Sequence, residues 1–176
     1  MRLPIQIGML VFFCSVFTFG QKADTTTIKL FFDNEKLNPN TEDCGKVFPV
    51  TRKIPKTMAV ATAALQELFK GPTKEEEAKG YIGYTPAETN GILRGVNVKS
   101  SSAYVNLSKY VYEQMGNATS TCGGQQFFSM VEATLQQFPT IKKVYYAIDG
   151  NADDFYEWVQ VGKCPHGKHC SKTNFK

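Results

Sequence analysis

Four cysteines, at positions 44, 122, 164 and 170, are spread over the last 156 residues of this 176-residue chain, and a fifth, Cys14, lies in an apolar leader. Whether the four are paired decides how much of the fold can be loop, and pairing depends on the compartment. The leader, "MRLPIQIGMLVFFCSVFTFG", carries one Arg, an apolar run from Ile7 to Phe19, and Thr18 and Gly20 at the −3 and −1 positions of a cleavage site. This is the layout of an export signal over residues 1–20. The run falls short of the roughly 20 residues a membrane-spanning helix needs, and the polar "QKADTTT" follows at once, so membrane contact is expected only if the leader is retained. Cys14 follows the bulky Phe13, where a lipid-accepting cysteine needs a small residue. The chain is therefore expected to be exported, to a periplasm, a cell surface or the medium.

An even number of cysteines in an exported chain reads as disulfides. Four allow three pairings. Spacing favours Cys164 with Cys170, across the short "PHGKH" turn, which leaves Cys44 for Cys122. In the chain-entropy account the long bridge stabilises by about 4 to 5 kcal/mol and the short one by about 2 kcal/mol. All 16 acidic residues and 19 of the 20 basic ones follow residue 20, a net charge of +3. That excess is too small and too dispersed for a nucleic-acid face.

Apolar periodicity places the elements. "TIKLFF" alternates Ile28, Leu30 and Phe32 on one side of a strand. Residues 34–46 are polar, with Pro39 and Gly45, and predict an irregular excursion; "VFPVTRKI" then reads as an edge strand because Pro49 interrupts it. Thr57 is placed to cap a helix over "MAVATAALQELFK", with Val60, Ala61, Ala64, Leu65 and Leu68 inward, stopped by Gly71 and Pro72. Thr73 and Glu76 have the spacing of a capping box for a second, short helix ended by Gly80. Asn90-Gly91 signals a turn before two strands, "ILRGVNV" and "AYVNL", joined through "KSSS" as an antiparallel hairpin. Residues 108–124 read as a loop, "QQFFSMVEATLQQF" as a helix ended by Pro139, and "KKVYYAID" as a strand with Val144, Tyr146 and Ile148 on one face. "NADDFYEWVQ" is read as a strand or a turn. Two amphipathic helices covering one small, mostly antiparallel sheet, in the order β-α-β-β-α-β, make a two-layer α+β sandwich.

"DCGKVFPVTRKIPKT", "AVATAALQELFKGPTKEEEAKGY", a strand pair ending "AYVNLS" and "TLQQFPTIKKVYYAIDG" together resemble the sporulation and spore germination domain, GerMN, over residues 27–150. The resemblance implies an exported or lipid-anchored bacterial envelope protein with a βαββαβ-type core, similar to ring-building modules and acting in assembly rather than catalysis. It also implies a bridge between Cys44 of the "DC" motif and Cys122 before the second helix. "KSSS" departs from the amide or acid with Gly usual in the family's hairpin. Sporulation itself is not implied, because the domain is similar in proteins of organisms that make no spores. The expected organisation is a leader at 1–20, a GerMN-like domain at 24–150 and an extension at 151–176 holding the Cys164–Cys170 loop.

"CPHGKHC" offers Cys164, His166, His169 and Cys170 as potential zinc ligands. Seven consecutive residues wrap a tetrahedron poorly, so a disulfide is expected and neither metal nor cofactor. Both histidines of the chain lie here, which leaves the core without a histidine base. The serines cluster at 100–102 and 120 without a nucleophile-elbow pattern. Asp43, Glu88, Asp149 and Asp153 are the loop carboxylates from which a glycoside-cleaving pair would have to be drawn. Arg52 is read as a structural ion-pair partner first and a donor fork for a ligand second. Tyr81 and Tyr84, with Tyr145 and Tyr146, could form an aromatic contact patch. Asn106 and Asn117 head N-x-S/T sequons. The sequence thus predicts a non-catalytic binding or assembly domain that meets an envelope protein or a cell-wall component through a sheet edge or the 34–56 excursion. Arg52, Tyr81 and Tyr84 are its candidate binding residues. The alternative is a cell-wall hydrolase using loop carboxylates. Oligomeric state is not legible.

Overall fold

A computed structural model describes residues 24–176, so the leader and its cleavage site lie outside the described residues. The alternation in "TTTIKLFFDN" builds β1 (Thr25–Asn34), where Ile28, Leu30 and Phe32 are fully buried. β2 (Phe48–Pro55) runs antiparallel to it, with Arg52 opposite Ile28 and Phe48 opposite Phe32. The Lys56 N–H donates to the Asp24 carbonyl at 2.9 Å. Because hydrogen-bonded pairs alternate along such a ladder, Pro49, Thr51, Lys53 and Pro55 turn their backbone groups away from β1. Both prolines lack an N–H where no ladder bond is lost, the condition for an edge strand. β3 (Tyr81–Ile82) pairs with the last two residues of β1.

The second hairpin, β4 (Leu93–Lys99) and β5 (Ser102–Leu107), joins β6 (Lys143–Ile148), which runs parallel to β5. The class is α+β with mostly antiparallel pairing, but the strands divide into two three-stranded sheets, β2-β1-β3 and β4-β5-β6. The free edges of β1 and β4 show why they do not merge. The Gln137 amide accepts from the Lys29 N–H at 2.7 Å and donates to the Lys29 carbonyl at 2.6 Å, while the Phe31 N–H reaches Thr134 Oγ1 at 3.2 Å. At β4, Thr62 Oγ1 accepts from the Val96 N–H at 3.2 Å and donates to its carbonyl at 3.4 Å. Helix side chains thus satisfy the backbone groups that a neighbouring strand would otherwise claim.

α1 (Val60–Leu68) buries Ala61, Ala64, Leu65 and Leu68. Its cap position belongs to Ala59 rather than Thr57, whose hydroxyl accepts the Ala59 N–H at 3.1 Å just upstream. α2 (Lys74–Ala78) carries the expected capping box, with Thr73 N–H on Glu76 Oε2 at 2.7 Å and Glu76 N–H on Thr73 Oγ1 at 3.3 Å. The segments read as loops contain two further short helices, α3 (Pro86–Thr89) and α4 (Val111–Gln114).

α5 (Thr121–Gln136) begins four residues ahead of the "QQFF" start and includes Cys122, Gly123 and Gly124. Helical glycine costs about 1 kcal/mol relative to alanine, so this first turn needs outside support. Ser120 Oγ accepts the Gly123 N–H at 3.0 Å, and Cys122 is bridged to Cys44 with an S–S distance of 2.05 Å. "NADDFYEW" forms neither strand nor turn but a helix, α6 (Ala152–Trp158). Asn151 Oδ1 caps the Asp153 N–H at 3.1 Å, and Asp153 and Asp154 put negative charge in the first turn, where the helix dipole favours it. The resulting face brings Phe155 onto Tyr146, rings stacked 4.7 Å apart, with Phe127 of α5 alongside.

The tail covers the other face of the second sheet. His169 stacks on Tyr145 at 4.4 Å and its Nδ1 meets the Tyr104 hydroxyl at 2.7 Å, while Phe175 meets Tyr104 edge-on at 5.5 Å. Asn97 and Asn106 donate to the carbonyls of Asn174 and Phe175 at 2.8 and 2.9 Å. A Cys164–Cys170 disulfide, Cα atoms 6.0 Å apart, closes the loop that presents both histidines. Tyr145, which strand alternation places opposite Tyr146, is therefore buried as well. The Asn106 side chain is committed inside this contact, also accepting the Gly150 N–H at 2.8 Å, so its sequon is not open to a glycan.

Three outcomes are expected. Ser100 and Ser101 both have left-handed backbones, φ 50° and 60°, in the two-residue hairpin loop. Such a loop favours Asn-Gly, so the double change Ser100→Asn, Ser101→Gly should raise the urea-unfolding free energy by about 1 kcal/mol without changing the m-value. Replacing Cys44 and Cys122 together by Ser should lower it by about 4 kcal/mol. For the tail, the His166 imidazole is open to solvent on its outer side, but partial desolvation against the Tyr145 and Tyr156 rings, with repulsion from His169 and Lys143, holds it below its ordinary 6.5. A base with a depressed folded value contributes stability that is complete above 6.5 and is lost as pH falls through the folded value. Amide protection factors in residues 164–175, taken relative to the intrinsic exchange rate at each pH, should therefore fall on acidification, and His166→Phe should flatten that response.

Candidate functional site

Arg52 is consumed by the fold. Its guanidinium donates to Gly71 O at 2.9 Å, to Glu67 O and Oε1 at 3.4 Å each, and to both carboxylate oxygens of Glu76, and it lies over the Phe32 ring. Burial pushes the Glu76 carboxyl up, but the Arg52 and Thr73 bonds outweigh it and leave the group below its ordinary 4.5. The Tyr81 hydroxyl donates to Pro49 O at 3.3 Å, pinning β3 to β2. Tyr84 meets Phe127 edge-on at 6.3 Å, and burial drives its hydroxyl well above the usual tyrosine range. Tyr145 and Tyr146 are covered on opposite faces of the second sheet, by the histidine loop and by α6.

The loop carboxylates are dispersed among local duties. Asp43 Oδ1 accepts the Gly45 N–H at 2.9 Å, and Glu88 Oε2 takes the N–H and hydroxyl of Thr85 at 2.8 Å each. Asp149 pairs with Arg94 at 3.1 Å, and Asp153 Oδ1 holds the Cys164 N–H at 2.9 Å. Glu132, raised by burial and partly offset by the Tyr146 hydroxyl at 3.3 Å, faces packed aromatic rings. The 34–46 excursion is ordered by a buried polar network that the sequence reading missed. Asp33 accepts from Asn34 N–H at 2.6 Å and from Gln126 Nε2 at 2.9 Å, and Asn38 donates to Asp43 O at 3.0 Å.

An open cavity of about 640 Å³ lies where α1, α3 and α4 converge. Its walls carry Gln66, Phe69 and Lys70 from the end of α1, Pro86, Ala87 and Thr89 from α3, the Asn90-Gly91 turn, Leu93 and Gln114. The local sequence explains the shape. Pro86 opens α3, and the Thr89 hydroxyl donates to Phe69 O and Thr85 O, locking the short helix to the end of α1. Gly91 has φ 73° and supplies the left-handed residue of a turn in which the Ile92 N–H bonds Thr89 O at 3.3 Å. Ser108, fully buried, fixes that turn by donating to Gly91 O at 3.0 Å.

Gln114 ends α4, and its Oε1 is buried without a hydrogen-bond partner. Leaving such an acceptor unmet costs about 1 to 3 kcal/mol. The cavity volume lies in the range of small-molecule sites. The only charged group in its wall is Lys70, whose ammonium is held by Glu67 at 2.6 Å. The arrangement can therefore hydrogen-bond a neutral ligand and has no acid–base pair with which to cleave it. Sequence reasoning found the Asn90-Gly91 turn but not Gln66 or Gln114, whose neighbourhood exists only once three helices meet.

Among the described residues no helix is long and apolar enough to cross a membrane. No curated protein matches the chain. Among solved structures, the tandem GerMN domains of the sporulation protein GerM from Bacillus subtilis are 20% identical with a TM-score of 0.50, over 72% of this chain and 40% of that one. The first GerMN domain of the same protein is 23% identical with a TM-score of 0.48, over 71% of this chain and 84% of that one. This chain thus spans well under half of the tandem structure, and the likeness is one of fold. The family model Germane, described as sporulation and spore germination, matches residues 29–154, from β1 into α6. The chain belongs to the Germane, sporulation and spore germination, family.

Proposed function

We propose that this chain is an exported, non-catalytic binding domain of the bacterial cell envelope that holds an envelope component at the α1–α3–α4 cavity. The observation that carries the reading is that the wall residue Gln114 has a buried Oε1 with no hydrogen-bond partner, the one such side-chain atom among the described residues. The sheet edges and the 34–56 excursion are weaker surfaces. Side chains satisfy the free edges of β1 and β4, Pro49 and Pro55 blunt β2, and the Cys44 bridge with the Asp33 network holds the excursion. Five surface cavities, including the one beside the start of α5, have no Asp or Glu in their walls, which weighs against hydrolysis by loop carboxylates.

Ala87 is an exposed wall residue on α3, and a bulky side chain there fills the cavity from its rim. The mature domain is expected to co-sediment with purified envelope, that is, cell wall and membrane fractions assayed separately. Ala87→Trp should cut the bound fraction at least tenfold with an unchanged thermal midpoint, and no new reducing ends should appear in the wall fraction. Equal retention of wild type and Ala87→Trp would remove the cavity from the reading. Release of reducing ends would replace binding with hydrolysis.

A further inference from the structure

The wall chemistry of the α1–α3–α4 cavity names a ligand class. Three carboxamides, Gln66 from α1, Asn90 from the turn and Gln114 from α4, line it. Elsewhere in the domain carboxamides are put to structural use. Gln137 completes the edge of β1, Gln126 holds Asp33, and Asn97 and Asn106 hold the tail. The buried acceptor at Gln114 has no such duty. A carboxamide offers a donor and an acceptor without charge, and rotation about its last torsion brings either end toward the cavity. Its natural complement is a neutral ligand that also donates and accepts.

Charge and shape narrow the choice. No acid is present in the wall to attract a cation, and the Lys70 ammonium is engaged by Glu67, so a strongly anionic ligand gains little. Phe69, Pro86 and Leu93 supply apolar surface beside the carboxamides. At the rim, Tyr110 is 45% exposed, and its ring lies 3.7 Å from where a Cβ on Gly91 would stand. An aromatic face next to a glycine turn accepts the C–H face of a sugar ring, and the carboxamides suit its hydroxyls. An acetamido group adds an N–H donor next to a methyl, matching a buried acceptor beside apolar walls. An extended peptide is recognised chiefly through a strand edge, and the nearest one, β4, has the backbone groups of Val96 occupied by Thr62.

We infer that the cavity binds a short, uncharged oligosaccharide of N-acetylated amino sugars, with the Gln114 carboxamide turning about its last torsion to accept from an acetamido N–H. The inference rests on the cavity reading above and adds the ligand to it. Calorimetry on the mature chain with tri-N-acetylchitotriose as probe should give saturable binding, with maltotriose at least tenfold weaker. Gln66→Ala, an exposed change, should weaken binding severalfold. Gln114→Leu should abolish it while leaving the thermal midpoint at or above wild type, because an unmet buried acceptor has been removed. A lowered midpoint for Gln114→Leu would mark a structural carboxamide and overturn the assignment. So would equal binding of maltotriose, binding indifferent to both variants, or no binding at about 10 mM probe, far above the concentrations at which useful sites fill. A trialanine peptide that binds in place of the saccharide also overturns it. Envelope retention that remains sensitive to Ala87→Trp, with no response to the saccharide, defeats the ligand class and leaves the binding reading standing.

Discussion

Helix α5 is held to the first sheet at both ends, and the rest of the molecule is arranged around that restraint. At its start the Cys44–Cys122 bridge joins it to the loop before β2, and Gln126 one turn later donates to buried Asp33 at the end of β1. At its far end the Gln137 amide stands in for a strand against Lys29. The glycines at 123 and 124 would weaken an unsupported first turn, so the covalent link and the Ser120 cap set where the helix begins. Once α5 is fixed, Phe127 occupies one position in the core. Tyr84, Tyr146 and Phe155 pack around it.

The same restraint decides which surfaces remain for recognition. An exposed sheet edge is the usual route to pairing with another chain. Here the edge of β1 is closed by α5 and that of β4 by α1. The outer edge of β2 keeps backbone groups pointing to solvent, but prolines flank the Thr51 and Lys53 donors. The ligand proposed above would therefore meet side-chain chemistry rather than backbone ladders, at the cavity where three helices converge.

The sequence announced those elements whose cause is local. Ile28, Leu30 and Phe32 alternate because one face of β1 is buried, and Thr73 with Glu76 caps α2 through groups three residues apart. The start of α5 was missed because its support comes from Cys44, 78 residues away. The division into two sheets was missed because Thr62 and Gln137 reveal their strand-mimicking role only in three dimensions. Arg52, Tyr81 and Tyr84 were singled out by side-chain type, and each makes an internal contact that only the fold reveals: Arg52 and Tyr81 a hydrogen bond to a distant carbonyl, Tyr84 an edge-on ring contact. Gln114 carried no signal in a segment that read as loop, since its meaning depends on partners it lacks rather than partners it has.

The tail bears on why the cavity can remain unsatisfied. The family match ends at residue 154, yet the chain continues through the rest of α6 to Phe175, whose ring is buried against Tyr104. With α5 and α6 on one face and the histidine loop on the other, the second sheet is covered on both sides. β4 and β5 belong to that sheet, and they carry the turn at Gly91 and the anchor at Ser108 that shape the cavity. A frame closed by two disulfides and a double-sided sheet resists the local collapse by which Gln114 could otherwise find a protein partner. Such rigidity would hold the Gln114 carboxamide in place for the ligand proposed above, the preorganisation that binding requires.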